Sequence, residues 1–152
     1  MEILTINPNQ TQKAAEALAK EIVNSLPEKK AFVLGLEGDL GGGKTTFLQG
    51  FAKGLGIKEK ILSPTFVLMK RFSINKNKPG FKDFYHLDCY RIENPKELLT
   101  LGFKKIISNS NNIVAIEWAD RVKKILPKDI LILKFEFINE TTRKIWLKKK
   151  NA

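Results

Sequence analysis

The amino-acid sequence predicts an α/β fold in three layers, with helices on both faces of a mixed, mainly parallel sheet that also contains antiparallel hairpins. Apolar segments of strand length alternate with segments whose apolar residues recur at helical spacing, which is the order typical of α/β proteins. Two pairs of strand-like segments are joined by short turn-forming stretches, which predicts the hairpins. The 152 residues, 43% of them hydrophobic, suffice for one such core. We therefore expect a single domain over residues 1–152.

The first half of the chain predicts a strand–helix–strand–helix order. Residues 2–6 form a short strand-like segment, and Pro8 then opens a helical pattern that ends before Pro27. Residues 31–37 are a mostly apolar run of strand length, and residues 45–55 carry the next helical pattern. Because the buried strand lies between two helices, it is expected near the centre of the sheet.

The second half predicts two hairpins with a short helix, a strand and a helical stretch between them. In chain order these elements are strands at 66–72 and 81–87, a helix at 95–101, a strand at 113–118, a helical stretch at 119–126, and strands at 130–138 and 143–148.

Composition limits the partners and the compartment. The net charge of +11 is compatible with a polyanionic partner, although many lysines fall at expected helix or strand ends, where solvation alone explains them. The single cysteine, Cys89, excludes an internal disulfide and provides too few thiols for a zinc cluster, so we expect a packing residue. No apolar run resembles a signal peptide or is long enough to cross a bilayer. These features predict a soluble, cytoplasmic protein.

A glycine-dense turn lies between the predicted strand at 31–37 and the predicted helix at 45–55. From Gly38 to Thr45 the sequence is G-D-L-G-G-G-K-T, a complete match to the phosphate-binding pattern G-x-x-x-x-G-K-[ST]. Glycines let successive backbone N–H groups point at a phosphate, and the following helix adds its positive end. Lys44 is expected to reach the β- and γ-phosphates, and Thr45 to offer its hydroxyl to Mg²⁺. The motif predicts a P-loop NTPase fold.

The predicted nucleotide is ATP. A GTPase needs a guanine-reading Asn-Lys-x-Asp, whereas residues 75–78 are Asn-Lys-Asn-Lys and lack the carboxylate. The residues expected to surround the nucleotide along the loop are Asp39, Leu40, Gly41, Gly42, Gly43, Lys44, Thr45 and Thr46.

Three further clusters follow the loop in the order that a P-loop enzyme needs. Ser-Pro-Thr-Phe at 63–66 places Thr65 where it could sense the γ-phosphate or the metal, although an ordinary Ser-Pro turn would have the same sequence. His-Leu-Asp-Cys-Tyr-Arg at 86–91 places Asp88 at a predicted strand end, as a candidate metal ligand or water-orienting base. Ile-Val-Ala-Ile-Glu at 113–117 is an apolar strand ending in an acid, which is typical of a strand that presents a carboxylate, here Glu117, to Mg²⁺.

Taken together, G-D-L-G-G-G-K-T-T, S-P-T-F, H-L-D-C-Y-R and I-E-W resemble the TsaE family, formerly YjeE, over nearly the whole chain. The resemblance implies a compact P-loop fold with a mixed sheet and ATP hydrolysis. It also implies action with the TsaD and TsaB proteins, which place threonylcarbamoyl on the adenosine beside the tRNA anticodon. Direct contact between tRNA and this chain stays an open alternative.

The resemblance also implies roles for individual residues. Thr45 and Glu117 are the implied Mg²⁺ residues, Asp88 belongs to the metal site or to catalysis, and Thr65 lies in a switch-like loop. The predicted catalytic residues are Lys44, Thr65, Asp88 and Glu117. The nearest matches to the family's adenine-side contacts are Asn9, Thr11 and Arg143. The chain departs from the family pattern at Trp118-Ala119, where Trp-Pro is frequent, and at Gly42, where alanine is usual.

Two alternatives remain from the sequence alone. A small-molecule kinase would use the same loop and Asp88 for transfer to a hydroxyl group. A nucleotide-gated binding module would use the ATP state to control docking on a partner, with incidental turnover.

Overall fold

A computed structural model describes residues 1–38, 41, 43–62, 68–74 and 80–149. Within them, seven strands form one sheet in the order β1-β7-β6-β2-β5-β4-β3. The strands are β1 (Glu2–Thr5), β2 (Phe32–Gly38), β3 (Met69–Ser73), β4 (Asp83–Asp88), β5 (Asn112–Glu117), β6 (Leu131–Phe137) and β7 (Arg143–Lys149). The helices are α1 (Pro8–Val23), α2 (Lys44–Gly54), α3 (Lys96–Thr100), α4 (Phe103–Ser108) and a 3₁₀ helix (Ala119–Ile125).

The sheet is mixed, which confirms the predicted fold class. Its four central strands, β6, β2, β5 and β4, pair in parallel. Antiparallel pairs flank them, with β3 against β4 on one side, and with β7 against β6 and β1 against β7 on the other. Because parallel strands carry their carboxyl ends to one edge, the ends of β2, β4 and β5 meet at that edge.

Helices cover both faces of this sheet, so the predicted three layers are present. Alternate residues of β2 show the two faces, since Leu34 and Leu36 pack in a core cluster with α1 and α2, whereas Val33 packs with α3, α4 and the 3₁₀ helix. Among the described residues, no helix is long and apolar enough to cross a membrane.

Helices α1 and α2 approach each other very closely because glycine lies at their contact. A Cβ atom added to Gly50 would collide with the carbonyl oxygen of Gln12, and one added to Gly54 would lie 2.5 Å from the carbonyl oxygen of Glu16. Helix α1 begins with Asn7, whose side chain accepts a hydrogen bond from the backbone N–H of Gln10, and with Pro8 in its first turn. This packing holds the start of α1 beside the start of α2.

Some elements differ from the sequence prediction. Helix α4 follows directly after Gly102, which takes a left-handed φ of 81° and restarts the chain as a helix where only a stop was expected. The helical stretch predicted at 119–126 is helical as expected, and it is a 3₁₀ helix over Ala119–Ile125. The predicted strand at 66–72 is observed from Met69 onward, and residues 66–67 lie outside the described part of the chain.

Candidate functional site

The phosphate-binding pattern lies where β2 gives way to α2. Gly38 and Gly43 both take left-handed backbone conformations, with φ of 131° and 97°. A side chain at Gly38 would also collide with the carbonyl oxygen of Phe135, so glycine is required there. Helix α2 starts immediately afterwards at Lys44, and its first N–H groups provide the positive helix end at the loop. This is the strand–turn–helix context that the motif needs.

Lys44 is buried at the base of the loop. Its Nζ donates a 2.6 Å hydrogen bond to the carbonyl oxygen of Gly38 and lies 4.2 Å from the centre of the Trp118 ring. Both contacts favour a cation, because the carbonyl oxygen and the ring face are electron-rich. The lysine is therefore held beside the space where the motif predicts phosphate.

Glu117, at the end of β5, contacts both the start of α2 and the neighbouring strand β4. Its Oε1 accepts a 3.1 Å hydrogen bond from the hydroxyl of Thr45, the second residue of α2. Its Oε2 lies 2.6 Å from Nε2 of His86, on the neighbouring strand β4. Both Glu117 and His86 are almost completely buried. The carboxylate is thus fixed from both sides and faces the start of α2.

Asp88 lies directly beside Glu117 in the strand register, at the end of β4. Its Oδ1 accepts a 3.0 Å hydrogen bond from the backbone N–H of Tyr90 in the turn that follows. The neighbouring Cys89 is buried in an apolar cluster, and its burial, with the negative charges of Asp88 and Glu117, raises the pKa of its thiol to about 12. The prediction of a packing cysteine agrees with this position.

Trp118 has the only left-handed φ, 59°, among the described non-glycine residues. A bulky residue in this region carries backbone strain. The ring contacts Tyr90 at a centroid distance of 5.0 Å and lies over the guanidinium of Arg121 at 5.3 Å, in addition to its contact with Lys44. These contacts hold the ring at the wall of the site.

Several of these residues line a cavity of about 350 Å³. Its described lining residues are Pro8, Thr11, Gly41, Gly43, Lys44, Thr45, Thr46, Asp88, Tyr90, Glu117, Trp118, Glu140, Thr141 and Arg143.

The structure brings most of the predicted site residues to this cavity. Of the three predicted adenine-side residues, Thr11 and Arg143 line it, whereas Asn9 is exposed in the first turn of α1 and is absent from the lining. Thr11 is buried and shares a 2.7 Å hydrogen bond with Thr5, and the Arg143 side chain packs 3.6 Å from the Cβ position of Gly43.

Four predicted site residues, Asp39, Leu40, Gly42 and Thr65, lie outside the described residues. The roles of all predicted site residues stay predictions.

Sequence reasoning missed some contributors. His86 was assigned no role of its own from the sequence, although its Nε2 lies 2.6 Å from Oε2 of Glu117. Its position in the same six-residue cluster as Asp88, two residues before it, was the available signal. Glu140 and Thr141, in the turn between β6 and β7, also line the cavity, and nothing in their sequence indicated this.

The oxygen atoms in this cavity fit a magnesium ion that is shared with a phosphate. Thr45 and Glu117 supply neighbouring hydroxyl and carboxylate oxygens, the hard ligands that Mg²⁺ prefers. Within the described part of the chain, no group of three His, Cys, Asp or Glu residues could hold a metal ion by itself. The donor set therefore suits an ion that takes its remaining ligands from phosphate and water.

A mixed sheet, a glycine turn opening a helix and a carboxylate at the next parallel strand define a P-loop protein of the α/β class. The model of the family described as "Threonylcarbamoyl adenosine biosynthesis protein TsaE" matches residues 7–145. The chain belongs to the TsaE family, whose members act in tRNA threonylcarbamoyladenosine biosynthesis, and the family resemblance found in the sequence is confirmed.

Individual relatives agree with this assignment. The sequence is 36% identical over 141 residues to the tRNA threonylcarbamoyladenosine biosynthesis protein TsaE of Bacillus subtilis. The aligned region covers 93% of this chain and 80% of that protein. It is 33% identical over 120 residues to the Haemophilus influenzae protein of the same name, with coverage of 79% and 72%. The crystal structure of Bacillus subtilis YdiB is similar with a TM-score of 0.73 and 30% identity, covering 99% of this chain and 86% of that one.

Proposed function

We propose that this protein binds ATP with Mg²⁺ in the cavity and hydrolyses it, as the ATPase subunit required for threonylcarbamoyladenosine modification of tRNA. Its target would be the adenosine next to the anticodon, its partners the TsaD and TsaB proteins, and its compartment the cytoplasm. The observation that carries the proposal is the Thr45–Glu117 hydrogen bond of 3.1 Å beside the first turn of α2. This bond supports the proposal because it joins a hydroxyl and a carboxylate, the two kinds of oxygen that a P-loop enzyme uses for its metal.

Three groups around the loop would bind the triphosphate. The N–H groups of the first turn of α2 point at the cavity and favour a phosphate there. Lys44 would exchange its bond to the carbonyl oxygen of Gly38 for bonds to phosphate oxygens, which are stronger acceptors. Arg143 also lines the cavity and adds a second cation close to the loop glycine Gly43.

Thr45 and Glu117 would hold the magnesium ion. Mg²⁺ bound there would neutralise charge on the β- and γ-phosphates. Asp88 ends the strand beside Glu117 and lines the same cavity, so it can either contact the ion or orient the attacking water. The Trp118 ring lies 4.2 Å from Nζ of Lys44 and lines the same cavity, so it forms an aromatic wall beside the proposed phosphate position.

Phosphate release from ATP, measured with and without TsaD and TsaB, tests the proposal. We expect Mg²⁺-dependent turnover that the partner proteins increase, and a loss of about 100-fold or more in Glu117→Ala, because the buried metal-side carboxylate is gone. Glu136→Ala is a matched control, since that exposed glutamate of β6 should leave turnover unchanged. Equal rates for wild type and Glu117→Ala would overturn the metal role. ADP release that requires an added small hydroxyl compound, and does not respond to the partners, would indicate a kinase instead.

A further inference from the structure

His86 makes a buried polar contact with Glu117, and the proposed function assigns it no role. The side chain is fully buried on β4, and its Nε2 lies 2.6 Å from Oε2 of Glu117. A carboxylate oxygen accepts hydrogen bonds, so the ring donates from Nε2. Hydrogen bonds to charged groups are shorter and stronger than neutral ones, and the short distance agrees with that class.

The contact restrains the carboxylate at the oxygen that does not face Thr45. Oε2 is bonded to His86 and Oε1 to the Thr45 hydroxyl, so the carboxylate plane is fixed by side chains from β4 and α2. Because β4 and β5 are parallel and in register, His86 lies opposite Ala115 and reaches two residues forward to Glu117. Without the ring, the Glu117 side chain could rotate about its terminal torsion, which has a broad energy minimum.

Within the described part of the chain, the second ring nitrogen of His86, Nδ1, makes no hydrogen bond that would give the side chain another polar role. Among the described residues, Nδ1 of His86 is buried and has no hydrogen-bond partner. A buried polar atom without a partner costs free energy, so a residue serving packing alone would be better replaced by an apolar one. The cost at Nδ1 is offset by the bond at Nε2.

We infer that His86 is a positioning residue that holds Glu117 with its Oε1 toward Thr45, the orientation that the proposed magnesium site would need. The inference rests on the proposed function, because it assigns a role toward the metal of that site. It predicts that His86 affects how strongly Mg²⁺ supports nucleotide binding and leaves the binding of metal-free nucleotide unchanged.

Two amide variants separate positioning from packing. In His86→Gln the amide nitrogen can reach the place of Nε2, whereas in His86→Asn it is closer to the place of Nδ1 and cannot reach Oε2. ADP affinity is measured by titration calorimetry across a range of Mg²⁺ concentrations and in EDTA, and unfolding is followed by circular dichroism. We expect equal affinities in EDTA for all three proteins. We expect the half-saturating Mg²⁺ concentration to rise about tenfold in His86→Asn and much less in His86→Gln.

Phe84→Leu serves as the control, because Phe84 is equally buried on β4 but packs its ring against Phe51 and Phe72. It should lower stability and leave the Mg²⁺ dependence unchanged. If His86→Asn does not fold, His86→Gln is compared with wild type and Phe84→Leu. A rise of about tenfold in the half-saturating Mg²⁺ concentration of His86→Gln would still contradict the positioning role.

The inference alone fails if wild type responds to Mg²⁺ and the Asn and Gln variants respond alike, or if Phe84→Leu shows the same shift. If wild type binds no ADP, or its ADP affinity ignores Mg²⁺, the proposed function fails as well. The two failures are therefore distinguishable from the wild-type titration.

Discussion

Thr45 and Glu117 come from positions 72 residues apart and meet through one hydrogen bond at the start of α2. Packing alone does not explain a carboxylate at the position of Glu117, since this side chain is only 2% exposed. Burying a carboxylate is costly unless hydrogen bonds or a cation compensate it. The hydrogen bonds with Thr45 and His86 offset this cost, and the proposed magnesium ion and phosphate would give the buried carboxylate a function.

Thr45→Val removes the hydroxyl while it keeps the shape of the side chain. We expect the Mg²⁺-dependent part of nucleotide affinity to be lost by about tenfold or more, because one of the two proposed metal ligands is gone. Thr45→Ser, which keeps the hydroxyl, should retain most of that affinity. Titration calorimetry with ADP, in Mg²⁺ and in EDTA, measures the difference, and equal affinities for the Val and Ser variants in Mg²⁺ would contradict the assignment.

Cys89 provides a probe of the same region. Since burial and nearby carboxylates raise the pKa of its thiol to about 12, little thiolate forms near neutral pH, and the thiolate is the reactive species. We expect Ellman's reagent to label Cys89 only at the rate of unfolding, and stoichiometrically in denaturant. Rapid labelling of the native protein would contradict the buried position.

The same shift makes a pH prediction with a definite sign. The folded-state pKa lies above the ordinary value of 9.0, so the protonated thiol favours the folded state. This contribution to stability is complete below about pH 9 and is lost as the pH rises from there toward 12. Denaturant unfolding at several alkaline pH values should show a steeper loss for wild type than for Cys89→Ala, and parallel curves would contradict the shift.

At the scale of elements, the loop and its two flanks could be predicted because their signal is local. The apolar run of β2, the glycine turn and the helical pattern of α2 are contiguous in sequence. The order of the sheet could not be predicted in the same way, because β1 finds β7 at the far end of the chain. The role of His86 was missed for a similar reason, since its partner is 31 residues away on another strand.

Helix packing around the loop also depends on tertiary contact. Alanine normally stabilises a helix relative to glycine by about 1 kcal/mol, yet Gly50 faces the backbone of α1. We expect Gly50→Ala to destabilise the protein by about 1–3 kcal/mol through overpacking. Lys53→Ala, exposed on the same helix, should change stability by less than about 0.5 kcal/mol. Urea unfolding measures both, and a stabilised Gly50→Ala would contradict the close approach of the helices.

For the whole molecule, the fold places strand ends and the starts of α1 and α2 around a cavity of about 350 Å³. The TsaE family assignment gives this site its biological setting, since the matching region covers residues 7–145 and thus every described residue that lines the cavity. The net charge of +11 is compatible with a function close to the polyanionic tRNA. The charge alone does not identify a tRNA-binding surface.

The most direct test of the central claim is ATP hydrolysis by the purified protein with TsaD and TsaB, compared between wild type and Lys44→Ala in Mg²⁺ and in EDTA. The account predicts turnover only for wild type in Mg²⁺, because the buried lysine and the metal both act on the phosphates. Turnover by Lys44→Ala at the wild-type rate, or wild-type turnover that persists in EDTA, would contradict it.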